Sequence, residues 1–369
     1  MINNLEGVTI SRMKPKILLV GWGFPPNIDG GLDIHVYHLF EQLQKEDVDV
    51  SLALPESRAP SREDLIPVET GDGDMIDKSK KMSQKVAKLA EDFDIIHTHD
   101  WFGAESGYKS KKYSDTLWVS TLHSLASDRT RNPDKRLEKL EEVATTQPDL
   151  LISVSKKLRN SIKKKYGVES EVVYNGFSKP KSCGIDVRER HNIDGDIVFY
   201  VGRHAEQKGI EHLLYGFKKA LEENDDLNLI LGGKGHMSEP LKEFTDILGI
   251  SDKVVFTDFI PREELGDYYK AADVFVSPSL NEPFGLTITE ALESGTPVVA
   301  TENGVEEISS NLITSIDPES SSVKEGILEA LDKDALEGRE FRSWSEMTEE
   351  TLELYRKTYD SNLRSCKSP

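Results

Sequence analysis

The chain has 369 residues, 66 of them Asp or Glu against 46 Lys or Arg, giving a formal net charge of −20 at pH 7. That length accommodates two domains of ordinary size, each able to bury a core, and so acidic a surface argues against nucleic acid as a partner. No apolar run approaches the ~20 residues that span a bilayer, and Cys183 and Cys366 supply neither a disulfide framework nor a metal-ligand spacing, so a reducing cytoplasm is the simpler setting.

In chain order, residues 1–15 read as a short extension, because Met1 to Lys14 contain Glu6, Arg12 and Lys14 and lack an apolar core of signal-peptide length. Beyond it, β-rich runs alternate with helical patterns twice over. The first half predicts strands at Lys16 to Trp22, Val48 to Pro55, Asp94 to Asp100, Leu117 to His123, Leu150 to Ser155 and Glu171 to Asn175. The second predicts them at Ile197 to Arg203, Leu227 to Gly233, Lys253 to Phe259, Val274 to Pro278, Pro297 to Thr301 and Leu312 to Ile316. Apolar runs separated by helices mean parallel strands covered on both faces, hence an α/β protein of two Rossmann-like domains. We place these at 16–180 and 186–340, joined by the polar stretch Ser178-Lys-Pro-Lys-Ser-Cys-Gly184. The excess acid belongs to the second: residues 1–185 hold 27 Lys+Arg against 28 Asp+Glu, and residues 186–369 hold 19 against 38.

Between these elements lie the chemistry-bearing segments. Gly21-Trp-Gly-Phe-Pro-Pro-Asn-Ile-Asp-Gly-Gly-Leu32 follows the first strand and does not fit Gly-x-Gly-x-x-Gly, the dinucleotide fingerprint. Instead Gly30-Gly31 precedes an amphipathic helix with Leu32, Val36, Leu39, Phe40 and Leu43 on one face, where missing side chains let a diphosphate approach the helix amides. His97-Thr-His99-Asp100-Trp101 follows the third strand; alternation sends both histidines to one face, but no matching Cys or carboxylate cluster completes a site, and we expect no metal. Asp100 and, after the fourth strand, His123 occupy strand ends. Lys156, Lys157, Arg159, Lys163, Lys164 and Lys165, with Leu158 and Ile162 between them, form a basic amphipathic helix; such a helix can dock on an anionic membrane face, although a solvated helix face is the simpler reading.

Gly202-Arg203-His-Ala-Glu-Gln-Lys208-Gly209 places two cations at a helix amino end, where they add to the amides in holding a diphosphate. Gly232-Gly-Lys-Gly235, including Gly233, is a turn without the Walker pattern, which implies no NTPase and suits the lining of a nucleotide pocket. In Ser277-Pro-Ser-Leu-Asn-Glu-Pro-Phe-Gly-Leu-Thr-Ile-Thr-Glu-Ala-Leu-Glu-Ser-Gly-Thr-Pro-Val-Val-Ala300, a strand is broken by Pro278 and Pro283, and Thr287 to Glu293 carry a helical pattern closed by Gly295. The loop from Glu282 to Leu286 thus sits at the carboxyl end of a strand and the amino end of a helix, where open α/β sheets bind ligands.

Glu282-x7-Glu290 with Pro-Phe-Gly-Leu inside it resembles the donor-site motif of the family 4 retaining glycosyltransferases of GT-B fold, and is similar to that of the glycogen and starch synthases. Gly30-Gly31, His-x-His-Asp-Trp and Gly-Arg-x4-Lys-Gly match the same family in place and type. The resemblance implies a hexosyltransferase that takes a UDP-, GDP- or ADP-linked sugar, needs no metal or other cofactor, and passes the hexose with retention to a glycan, lipid-linked or small-molecule acceptor. It implies that Glu290 meets the ribose hydroxyls, that Glu282 and the amides of Phe284, Gly285 and Leu286 meet the sugar, and that Arg203 and Lys208 neutralise the departing diphosphate. Gly30, Gly31, His123 and Asp100 would close over the sugar from the first domain. It also implies a terminal helix, residues 341–369, crossing back to that domain. The segment Thr301-Glu-Asn-Gly-Val-Glu-Glu-Ile308 departs from the family's Gly-Gly-x-Pro-Glu form. The alternatives are an α-glucan synthase or phosphorylase, a GT-B sugar-nucleotide epimerase, and a non-catalytic sugar-binding subunit.

Overall fold

The computed structural model describes residues 14–114, 116–130, 132–333 and 338–365. Most of the expected N-terminal extension, residues 1–13, and Cys366 lie outside them. The chain forms two all-parallel sheets, one in each half. In the first, β1 (Lys16–Val20), β2 (Asp49–Pro55), β3 (Leu65–Val68), β4 (Ile95–His99), β5 (Leu117–Leu122), β6 (Leu150–Ser153) and β7 (Glu171–Val172) are ordered β3-β2-β1-β4-β5-β6-β7. In the second, β8 (Ile197–Val201), β9 (Asn228–Gly232), β10 (Val254–Asp258), β11 (Val274–Ser277), β12 (Val298–Ala300) and β13 (Ile313–Ser315) are ordered β10-β9-β8-β11-β12-β13. The central strands are apolar on both faces because helices cover both: Leu18, Leu19, Val198 and Phe199 are all fully buried.

Seven strands stand where the sequence predicts six. β3 was missed because it is four residues long and carries Pro67, which reads as a breaker; Pro is tolerated there because β3 is an edge strand paired only with β2. The other strands are mostly shorter at their carboxyl ends than predicted, and β7 covers only Glu171–Val172 of the expected run to Asn175.

Both sheets reverse their strand order in the middle, between β1 and β4 in the first and between β8 and β11 in the second. Loops leaving the carboxyl ends of such adjacent strands diverge and open a crevice. The two crevices face each other across contacts that tie the halves together. Both carboxylate oxygens of Glu307 accept the backbone N–H groups of Lys156 and Lys157 at 2.8 Å, and Tyr174 Oη donates to Glu307 Oε2 at 2.8 Å. Asn281 Nδ2 donates to Asp128 Oδ1 at 2.6 Å. One buried apolar cluster runs from Leu122, Leu158 and Phe177 into Phe199, Phe284 and Ile288.

The helix Trp344–Ser365 packs on the first sheet's layer, sharing a core with Ile17, Leu19, Leu39 and Phe40 through Trp344, Met347, Leu352 and Tyr355. Its entry is held by the Trp344 ring stacked on His38 at 4.4 Å and by the indole N–H donating to Ser178 Oγ at 2.7 Å. Gly176 is required here, since a Cβ on it would run into the backbone of Trp344.

Candidate active site

The predicted site residues gather at the carboxyl ends of the strands that flank the two crevices. Gly30 and Gly31 follow β1, Asp100 follows β4, His123 follows β5, Arg203 and Lys208 follow β8, Gly233 follows β9, and Glu282 to Glu290 follow β11. The first and second halves touch at this point: a Cβ on Gly31 would lie 3.0 Å from Leu286 Cδ1.

Three helices begin at the cleft, Gly31–Leu43, Ile210–Leu221 and Leu286–Glu293, and each is preceded by a glycine, Gly30, Gly209 or Gly285, so none has a side-chain cap. The helices starting at Met75, Lys135, Lys156 and Val187 are capped by Asp74, Asp134, Ser155 and Asp186, whose side chains accept from their first-turn amides; those starting at Ser238, Leu265 and Ser320 also lack a side-chain cap but are not preceded by glycine. The His212 and Ile288 N–H groups turn back to the carbonyls of Gly209 and Gly285 at 3.0 Å, so it is the earlier first-turn N–H groups that are left for a ligand, and the positive end of each dipole favours an anion. Two of the glycines are demanded by the backbone: Gly285 has φ +108°, and Gly209 has φ +63° with the carbonyl oxygen of Pro278 where a Cβ would stand.

Lys208 Nζ donates to Glu282 Oε2 at 2.7 Å, and Ser279 Oγ donates to the same oxygen at 3.2 Å, so donor-loop carboxylate and cation are held as a pair. The Leu280 N–H donates to the Gln207 carbonyl at 2.9 Å and fastens the two loops together. Arg203 is exposed and, among the described residues, has no acid partner. Glu290 is buried beneath the loop and accepts from Tyr269 Oη at 3.0 Å. Burial pushes its carboxyl above the usual carboxylate range, against the opposing pull of the Arg262 charge. The amide of Val305 donates to the Phe284 carbonyl at 3.2 Å, which ties the divergent 301–308 segment to the same loop. Gly233, with φ +109°, packs so closely on the Gly202 carbonyl that a Cβ is excluded, so its position is fixed by the meeting of two loops.

Across the cleft, Asp100 spends both oxygens inside the first half. Oδ1 accepts the backbone N–H of His123 at 2.7 Å and Oδ2 accepts Arg129 Nη2 at 2.6 Å. What the geometry shows for Asp100 is thus a positioning contact that fixes the end of β5 and the ring beyond it; burial raises its carboxyl, opposed by Arg129. His123 Nε2 lies 3.2 Å from His99 Nδ1, and burial drives both rings well below the ordinary histidine range, leaving them neutral at pH 7. His97 is a structural histidine, bonded through Nδ1 to Tyr355 Oη and through Nε2 to Thr121 Oγ1 at 2.7 Å.

Sequence reasoning missed His35, Asn175, Arg129 and Tyr269. His35 alone left a signal, since it falls on the apolar stripe of its helix between Leu32 and Val36, where an ionisable residue needs a reason. The structure sets it against His123, with ring centroids 4.6 Å apart, so His99 groups with His35 and His123 and not with His97, its partner on the strand.

Two family models match the chain, Glycosyltransferase Family 4 over residues 29–178 and Glycosyl transferases group 1 over residues 185–343. A glycosyltransferase of Methanocaldococcus jannaschii is 31% identical over 78% of this chain and 81% of its own length. The chain belongs to glycosyltransferase family 4. The transferase is also similar to mannosylfructose-phosphate synthase of Agrobacterium fabrum, 26% identical over 74% of this chain and 67% of that protein. In fold it is GT-B, as in the sucrose-phosphate synthase of Thermosynechococcus elongatus, with TM-score 0.77, 21% identity, and 94% of this chain and 100% of that one covered. The Anabaena protein HepE, solved with UDP and glucose, superposes with TM-score 0.73 at 18% identity over 93% and 99% of the two chains.

Proposed function

We propose that this glycosyltransferase takes a hexose from a nucleoside-diphosphate sugar and passes it, with retention, to a glycan, lipid-linked or small-molecule acceptor. The observation that carries the reading is the meeting of three uncapped, glycine-preceded helix amino ends beside Lys208 and Arg203. A diphosphate fits that arrangement in shape and charge, and a bare hydroxyl compound does not use it. HepE, bound to UDP and glucose in its solved form, supports the donor class.

In this reading the nucleotide lies on the second domain, its ribose hydroxyls donating to Glu290, whose burial beside Tyr269 holds the carboxylate in place. Lys208 turns from Glu282 to the phosphates, which frees Glu282 to accept from the sugar hydroxyls. As the bond from anomeric carbon to phosphate oxygen breaks, negative charge grows on the diphosphate, and Arg203, Lys208 and the Gly285 and Leu286 amides stabilise it without a cofactor. His123 reaches the sugar from the other side. Attack by the acceptor from the leaving-group face then retains configuration, the diphosphate oxygen taking the acceptor proton.

A lipid-linked acceptor would bring the enzyme to a membrane. Leu158 and Ile162 of the basic helix are buried in the core, and Lys157, Lys163 and Lys165 pair with acids, which leaves Lys156, Arg159 and Lys164 for anionic headgroups. Contact there would be electrostatic, without insertion. Among the described residues no helix is long and apolar enough to cross a membrane.

The test is incubation with UDP-, GDP- and ADP-hexoses and an acceptor panel, reading free nucleotide and the anomeric configuration of the product by NMR. An α-linked product from an α-donor supports the reading. A new sugar nucleotide formed without acceptor would favour the epimerase, and an inverted product would overturn retention.

A further inference from the structure

Three imidazoles from separate elements meet behind the first domain's wall of the cleft. His35 lies in the first turns of the Gly31–Leu43 helix, His99 ends β4, and His123 follows β5; one ring nitrogen of each lies within 4.8 Å of the others. His35 Nδ1 is 2.7 Å from Asn175 Oδ1, an oxygen that only accepts, so the His35 proton sits on Nδ1 and Nε2 carries a lone pair. That Nε2 is buried without a partner, and so is Nε2 of His99. A buried polar nitrogen left unmatched is destabilising, and here two occur on neighbouring rings. His97, with both nitrogens bonded, stands outside the group.

We propose that His35, His99 and His123 form a Zn²⁺ site. The donors are three imidazoles with no thiolate among them, a set that suits zinc, which takes three histidines and keeps a fourth position open. Zn–N bonds of about 2.0–2.1 Å put tetrahedral donors about 3.3 Å apart, which the trio reaches by side-chain rotation on the order of an ångström. The Asn175 contact is the outer hydrogen bond that orients a metal-bound histidine. His123 is the one partly exposed member, so the site meets the cleft through it. Zinc bound there holds the ring that the proposed transfer turns toward the sugar, and so acts as a reversible brake; that consequence rests on the functional reading above, whereas the binding does not.

The test uses untagged, chelator-stripped full-length protein without donor or acceptor, titrated with Co²⁺ and then Zn²⁺. One equivalent of Co²⁺ with tetrahedral d–d absorption, displaced by Zn²⁺, is expected, with at least tenfold weaker binding in His35→Gln and in His99→Gln and unchanged binding in His97→Gln, folding being checked by circular dichroism. X-ray absorption of the wild-type zinc form should show imidazole scattering and decides the matter if a variant fails to fold. No stoichiometric binding, full binding in both variants, or an oxygen-only shell would overturn the proposal. In each of those outcomes nucleotide release still reports independently on the transferase reading.

Discussion

Arg203 and Lys208 do different work although both sit at one helix amino end. Arg203 is exposed and, among the described residues, has no acid partner, so Arg203→Ala should leave the thermal midpoint unchanged while weakening nucleotide binding; a charge-assisted hydrogen bond of about 1.5–3 kcal/mol corresponds to roughly a ten- to hundredfold loss, readable by calorimetric titration. Glu290, by contrast, should bear on stability as well as on binding. Burial raises its carboxyl, so the ionised group disfavours the folded state at neutral pH, and that penalty disappears as the pH falls through the folded-state value toward the unfolded one. Glu290→Gln, which can still accept from Tyr269, is therefore expected to raise the midpoint at pH 7, by about 2–4 °C for each kcal/mol relieved. The gain should shrink as the buffer is acidified, while nucleotide affinity falls. The cations and carboxylates of the second domain were legible because each lies in a short contiguous motif. Asn175 and Tyr269 were not, since they reach the site only through the packing of distant elements.

Glu307 shows the same limit at the scale of elements. It accepts the first two amides of the Lys156–Tyr166 helix from the other domain, a cap that no local pattern announces because the helix already has Ser155 before it. Losing a cap costs about 0.5–2 kcal/mol, here from the contact between domains. Glu307→Ala should accordingly raise KM for the donor and speed proteolysis of the linker at 178–184 more than it lowers the global midpoint. A global loss with unchanged linker cleavage would contradict that role. The alternation of strand and helix was readable because buried parallel strands are apolar throughout. β3 escaped through Pro67, and the strand ends were overrun because their last residues leave the ladder to build the crevice loops.

At the scale of the whole molecule, the helix Trp344–Ser365 makes the first domain depend on the far end of the chain. Trp344, Met347, Leu352 and Tyr355 are all buried on it, each worth about 1.5–3 kcal/mol of apolar burial at most. Deleting residues 341–369 should uncover Leu39 and Phe40 and give a protein that unfolds in two steps, the first domain earlier, by calorimetric scanning. A single transition at the original temperature would show the crossing to be dispensable. The central claim, that the two crevices form one donor site around a diphosphate, is tested most directly by isothermal titration of UDP, GDP and ADP into the intact protein, Arg203→Ala and Lys208→Ala. Micromolar binding of one nucleotide, weakened at least tenfold in both variants, is expected; no binding to folded intact protein at any salt concentration, or equal binding to all three proteins, would contradict it.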